Sequence, residues 1–308
     1  MVFSGTGTVQ TYVVPVTGNY IIEAAGAEGG PAAGRGGKGA RIKGAFNLTQ
    51  GEVLRIVVGR QGAPGSTSPK STGGGGGGSF VWKSDVALPL PAKPMLVAGG
   101  GGGGASAAHG SNGAVEMDVA SGAGLSGRCG YGGATNFVDF SYSGGGGTGW
   151  RSSGKIGSAP THCYGGTRWI GGNGANYCDH HGGTGGYGGG GGGSIMGDGS
   201  GGGGGYSGGR GGTQNGPAGG GGGSYNAGTH QDNAPGVQAG DGYVTIVAVP
   251  AAVTIVTPGT FPGNSPLSAT SEIVLEDIRP PIVIDTRLAK RPALDQPKAS
   301  DCVDAPIQ

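Results

Sequence analysis

The sequence predicts a mainly β protein with irregular structure, in which β-strands frame a bundle of polyglycine-II helices and an extended arm follows. Three observations lead there. Glycine supplies 80 of 308 residues while only 34% are hydrophobic and 6% aromatic, too little apolar bulk for the core a chain of this length normally builds. Charged residues make up 12% and the net charge is +1, the opposite of a self-repelling disordered chain. Strand-like segments bracket the glycine-rich region at both ends. An interior made of backbone rather than side chains satisfies all three.

The first strand-like segment is residues 8–15, β-branched and aromatic and ended by Pro15. A turn at 16–19 leads to a second at 20–25. Residues 40–44 alternate apolar and polar, as a half-buried strand does, and 52–59 form the strongest strand pattern in the chain. Residues 94–98 give another before the second glycine run, and 242–250 close the set. No segment carries a helical apolar stripe.

Glycine runs occupy 73–78, 99–104, 144–147, 188–193, 201–205 and 219–223. A left-handed helix of three residues per turn has no internal hydrogen bonds, so its N–H and C=O groups point outward and must find partners. Without side chains, such helices can lie close enough to bond one another. A period of three is visible in 182–193, with Thr184 and Tyr187 spaced by Gly-Gly, in Ser207-Gly208-Gly209-Arg210-Gly211-Gly212-Thr213, and in Arg35-Gly36-Gly37-Lys38. A flexible glycine linker is the competing reading; against it, Phe80, Trp82, Tyr187, Tyr206 and Tyr225 stand at run boundaries.

The order of these segments resembles the glycine-rich domain of the anaplastic lymphoma kinase and leukocyte tyrosine kinase receptors. The matching pieces are residues 18–30 (Gly18-Asn19-Tyr20-Ile21-Ile22-Glu23-Ala24-Ala25-Gly26 and on to Gly30), Gly44-Ala45-Phe46-Asn47-Leu48-Thr49 leading to Val57-Val58-Gly59-Arg60-Gln61-Gly62, the stretch 73–80, Pro94-Met95-Leu96-Val97-Ala98-Gly99-Gly100-Gly101, and Gly242-Tyr243-Val244-Thr245-Ile246. Together they cover roughly residues 3 to 249. The resemblance implies strands around packed polyglycine helices, with outward loops for recognition. Similar packing occurs in tail-fibre adhesins of T-even-like phages. The chain carries neither a kinase nor a membrane span of the receptors, and no ligand-binding residue carries across.

Composition also narrows function. The 19 basic residues are scattered, so no surface for nucleic acid is expected. The longest apolar stretch, 244–258, is short of a membrane helix and contains Pro250. Residues 1–20 lack the basic start and apolar run of a secretory signal. Gly149-Trp150-Arg151-Ser152-Ser153-Gly154-Lys155 imitates a phosphate-binding loop, but Ile156 stands where Ser or Thr belongs. No acid, base and nucleophile set stands out, and neither an enzyme nor a cofactor is expected.

The cysteines are Cys129, Cys163, Cys178 and Cys302. Cys163 and Cys178 could close a loop as a disulfide, which suits an oxidising compartment, or remain free. His162, Asp179, His180 and His181 add ligands zinc could use, without a recognised finger spacing; no metal site is assigned. Loops over 128–142, 150–169 and 173–181 concentrate Tyr131, Phe137, Tyr142, Trp150, Tyr164, Trp169 and Tyr177. Such rings supply stiff apolar faces for a glycan or protein surface; equally, they can cap the glycine bundle. Asn47-Leu48-Thr49 is a glycosylation sequon for a chain that meets the eukaryotic secretory path.

The expected organisation is a glycine-rich domain over 1–249 and a Pro-rich extended arm over 250–308, whose pieces 253–257, 273–275 and 282–284 suit strand addition to a neighbour. The expected function is recognition or attachment at an extracellular or virion surface. The alternative is a structural subunit of a fibre, shell or matrix, self-associating or joining another structural protein through the arm.

Overall fold

A computed structural model describes residues 1–65, 72–84, 93–106, 108–118, 127–134, 143–157, 165–166, 182–194, 199–213 and 216–250. Among them there is no helix. Ten strands form: β1 (Val2–Ser4), β2 (Gln10–Val13), β3 (Gly18–Ala25), β4 (Gly39–Leu48), β5 (Val53–Val57), β6 (Ser79–Lys83), β7 (Leu96–Ala98), β8 (Tyr225–Asn226), β9 (Ala234–Gln238) and β10 (Tyr243–Ala248). They make two antiparallel sheets, ordered β1-β10-β3-β4-β9 and β2-β5-β6-β7-β8. The compact unit runs over Met1–Val249.

Alternation along each strand builds the core. Tyr20, Ile22 and Ala24 of β3, Ile42 of β4, and Val244 and Ile246 of β10 face Leu54 and Ile56 of β5, Val81 of β6, and Leu96 and Ala98 of β7. The opposite face of the second sheet is covered as well. Val57, Phe80, Trp82 and Val97 pack there against Trp150, Tyr187 and Tyr206 of the glycine-rich part. Burial on both faces explains why β6, Ser-Phe-Val-Trp-Lys, is buried at four successive positions and lacks the alternation that would mark it in the sequence. The short strands β1, β8 and β9 also escape the sequence pattern, while β2, β3, β4, β5, β7 and β10 fall within or across predicted segments.

The glycine runs belong to neither sheet and bond to one another. In run 73–78, Gly73 and Gly76 donate to Gly104 and Gly101, Gly74 and Gly77 to Ala63 and Arg60, and Gly75 and Gly78 to Gly191 and Gly188, at 2.8–3.0 Å. Its carbonyls receive N–H groups from three further segments: Gly201 and Gly204 on Gly73 and Gly76, Gly30 and Ala27 on Gly74 and Gly77, Gly186 on Gly75. Partners therefore recur every third residue. Segment 201–206 repeats the pattern, donating in turn to Gly73 and Gly76, to Gly145 and Thr148, and to Gly220 and Gly223. Buried peptide groups are paired without strand ladders, which is what a backbone interior requires.

Close approach demands glycine here. A Cβ on Gly76 would stand 2.4 Å from the Ala27 carbonyl oxygen, and one on Gly203 would stand 2.3 Å from that of Gly100. Side chains occur where a segment meets the outside or the aromatic layer. Arg210 is an intermediate case: its guanidinium is buried, donates to the Ala218 carbonyl at 3.2 Å, and is pushed below its ordinary pKa by that burial. The expected arm lies outside the described residues apart from Pro250.

Candidate recognition surface

The described part of the aromatic loops consists of two neighbouring segments, 127–134 and 148–157, and the pair 165–166. The first turns sharply at Arg128-Cys129-Gly130-Tyr131. Tyr131 N–H donates to the Arg128 carbonyl at 2.9 Å, and φ is 51° at Cys129 and 89° at Gly130, the signature of a type I′ turn. Glycine at 130 also leaves room, since a Cβ would lie 3.2 Å from Arg151 Cγ and 3.5 Å from Tyr206 Cζ.

A non-glycine residue in the left-handed region is unfavourable, and Cys129 is held there by several contacts. Its N–H donates to Asp118 Oδ1 at 2.7 Å, and its sulfur is in a disulfide. The same Asp118 oxygen accepts from Ser207 Oγ at 3.2 Å, and Ser207 Oγ in turn accepts from Gly130 N–H at 3.2 Å. Gly127 N–H donates to Gly208 O and Gly208 N–H to Tyr131 O, tying the turn to the glycine lattice.

The second segment runs alongside. Gly149 N–H donates to Ser152 O at 2.9 Å, closing a turn that points Trp150 inward. Arg151 N–H donates to Gly130 O, Gly132 N–H to Ser152 Oγ, and Lys155 N–H to Gly133 O. The side chains left at the surface are Arg128, Ser153, Lys155 and Ile156, with Tyr131 half-buried.

Trp150 leaves the set of candidate contact residues. It is 1% exposed, stacks near Phe80 and meets Trp82 edge-on with centroids 6.0 Å apart. The scarcity of other apolar groups on that side of the second sheet draws the ring inward, so Trp150 caps the bundle. Tyr131 remains at the surface. Phe137, Tyr142, Tyr164, Trp169 and Tyr177 lie outside the described residues, as do Cys163 and Cys178 and the neighbouring histidines.

The phosphate-loop imitation at 149–155 has no free cradle. The N–H groups of Gly149, Trp150, Arg151, Gly154 and Lys155 all donate to protein carbonyls. Among the described residues no group of three or more His, Cys, Asp or Glu is placed to hold a metal, and no helix is long and apolar enough to cross a membrane. Asp118 and Ser207, which anchor the turn, carry no sequence signal; the Cys129-Gly130 pair is a turn signal only in retrospect of its φ values.

The chain matches no protein-family model and no curated protein.

Proposed function

We propose that this chain is a non-enzymatic recognition module of an extracellular or virion surface, whose loops contact a glycan or protein on a target. The observation that carries this reading is the display of Arg128, Tyr131, Ser153 and Lys155 on two segments whose backbones are bonded to each other and to the glycine runs. Pre-organised display lowers the ordering cost of binding. A phenol beside cations and hydroxyls is the mixture that sugar and protein surfaces select.

We read the glycine runs as polyglycine-II helices. The recurrence of hydrogen-bond partners every third residue supports this, because a threefold helix turns the same peptide face outward at that interval. The resemblance to the receptor glycine-rich domains and to phage tail-fibre adhesins points the same way. The disulfide at Cys129 favours an oxidising setting.

The test is binding of the labelled full chain to arrays of surface glycans and surface proteins, alongside Tyr131→Ala and Arg128→Gln. The reading expects a ligand whose signal drops in both variants. A chain that binds nothing on either array, yet forms large species in light scattering, belongs instead to a fibre, shell or matrix.

A further inference from the structure

A second face of the glycine lattice carries regularly spaced cations. Segment 34–39 leads into β4, and segment 108–113 lies beside it in matched steps of three. Arg35 N–H donates to His109 Nδ1 at 2.9 Å, and Gly110 N–H returns a bond to Arg35 O at 2.9 Å. Three residues on, Lys38 N–H donates to Asn112 Oδ1 at 2.9 Å, and Gly113 N–H returns one to Lys38 O at 2.8 Å. The backbone of each step is thus fixed, while Arg35, Lys38 and His109 are exposed.

Neither the Arg35 guanidinium nor the Lys38 ammonium has an ion pair or side-chain hydrogen bond among the described residues. Acceptance at His109 Nδ1 leaves the ring proton of the neutral imidazole on Nε2, so that edge is a donor. No carboxylate occurs in residues 31–38 or 105–113; the next along the second segment is exposed Glu116. The charged side chains in these two stretches are all cationic.

Extended chain rises about 3.1–3.3 Å per residue, so the Cα atoms of Arg35 and Lys38 stand about 9–10 Å apart along the segment. Duplex DNA carries a charge about every 1.7 Å of axis and rewards many cations at once. An extended peptide repeats on one face about every 6.6 Å. A spacing of about 9–10 Å suits an acidic polysaccharide, on which two cations so placed meet the carboxylates or sulfates of alternate sugars. We infer that the edge formed by Arg35, Lys38 and His109 binds an acidic polysaccharide strand lying along the glycine segments. This site is separate from the loop surface and stands or falls without it.

The experiment measures binding of the full chain to polygalacturonate and dextran sulfate, with neutral dextran and a DNA duplex as comparators, across a salt series. Both acidic polymers are expected to bind, and to weaken as salt rises. Arg35→Gln and Lys38→Gln are each expected to weaken binding about fivefold and to act together, the scale of one exposed charge contact. Lys93→Gln, an exposed cation elsewhere, leaves binding unchanged. Absence of binding to both acidic polymers at low salt overturns the inference. So does full binding by the doubly substituted chain, or equal retention on dextran or DNA.

Discussion

The indole of Trp150 lies against the ring of Phe80, with centroids 6.3 Å apart and 25° between the planes. This pair joins the glycine lattice to the second sheet, because Phe80 belongs to β6 and Trp150 follows the run at 144–147. Truncating a buried Trp to Ala costs about 3–5 kcal/mol. Trp150→Ala is therefore expected to lower the urea midpoint sharply, and Trp150→Phe to recover part of it. Equal midpoints for Trp150→Ala and the parent chain would show that the lattice does not lean on the sheet.

Tyr187 sits in the same aromatic layer, 5% exposed, and its hydroxyl has no hydrogen-bond partner among the described residues. Burial pushes its phenol above the ordinary pKa. A buried hydroxyl without a partner costs about 1–3 kcal/mol. Tyr187→Phe is expected to raise the melting temperature, whereas Trp150→Ala lowers it. A lower melting temperature for Tyr187→Phe would mean the hydroxyl is satisfied after all.

Two glycine substitutions separate the lattice from a strand end. A Cβ at Gly76 meets the carbonyl oxygens of Ala27 at 2.4 Å and Glu28 at 2.6 Å, both backbone atoms that cannot swing aside. At Gly18 nothing lies within 4 Å and φ is not in the left-handed range. Gly76→Ala is expected to destabilise by several kcal/mol, at or beyond the overpacking range of about 1–3 kcal/mol. Gly18→Ala is expected to be neutral or to stabilise by up to about 1 kcal/mol through the unfolded chain. Chemical denaturation of both variants makes the comparison.

Tyr243 on β10 donates to Glu23 Oε1 at 2.6 Å, and Glu23 also pairs with Arg41 at 3.3 Å. Burial first, then the hydrogen bond and charge of Glu23, push the Tyr243 phenol up to about 12 from its ordinary value of 10.0. The unfolded chain therefore loses this proton first. The stabilisation is complete below pH 10 and is lost as pH rises towards 12. Glu23→Gln is expected to bring the ionisation down while leaving it above 10, since burial persists. Ultraviolet titration of the tyrosinates reads both.

Six of the ten strands were legible because β-branched residues alternate or cluster in them, as in Val53-Leu54-Arg55-Ile56-Val57. β6 was not, since a strand covered on both faces has no period to read. The threefold spacing around Tyr187 and Arg210 was readable, but nothing in a run of identical residues says which run it bonds. That information lies in the positions of carbonyls, not in side chains. The same holds for the surface: the sequence leaves Tyr131 and Trp150 alike open to surface contact or to capping the glycine bundle, and only the fold separates them. The partners of Trp150, namely Phe80 and Trp82, are some seventy residues away and came into view only through the fold.

A lattice that repeats every third residue also has a weakness in register. A run that slid three places would set glycine against glycine again where the runs still overlap and re-form part of its backbone bonds. What it could not regain is the ring at its end, since Trp150, Tyr187 and Tyr206 would each be carried about 9 Å off the sheet that receives them. The aromatic residues thus serve as index marks: each runs its segment to a stop, and the stop decides where every loop beyond it emerges.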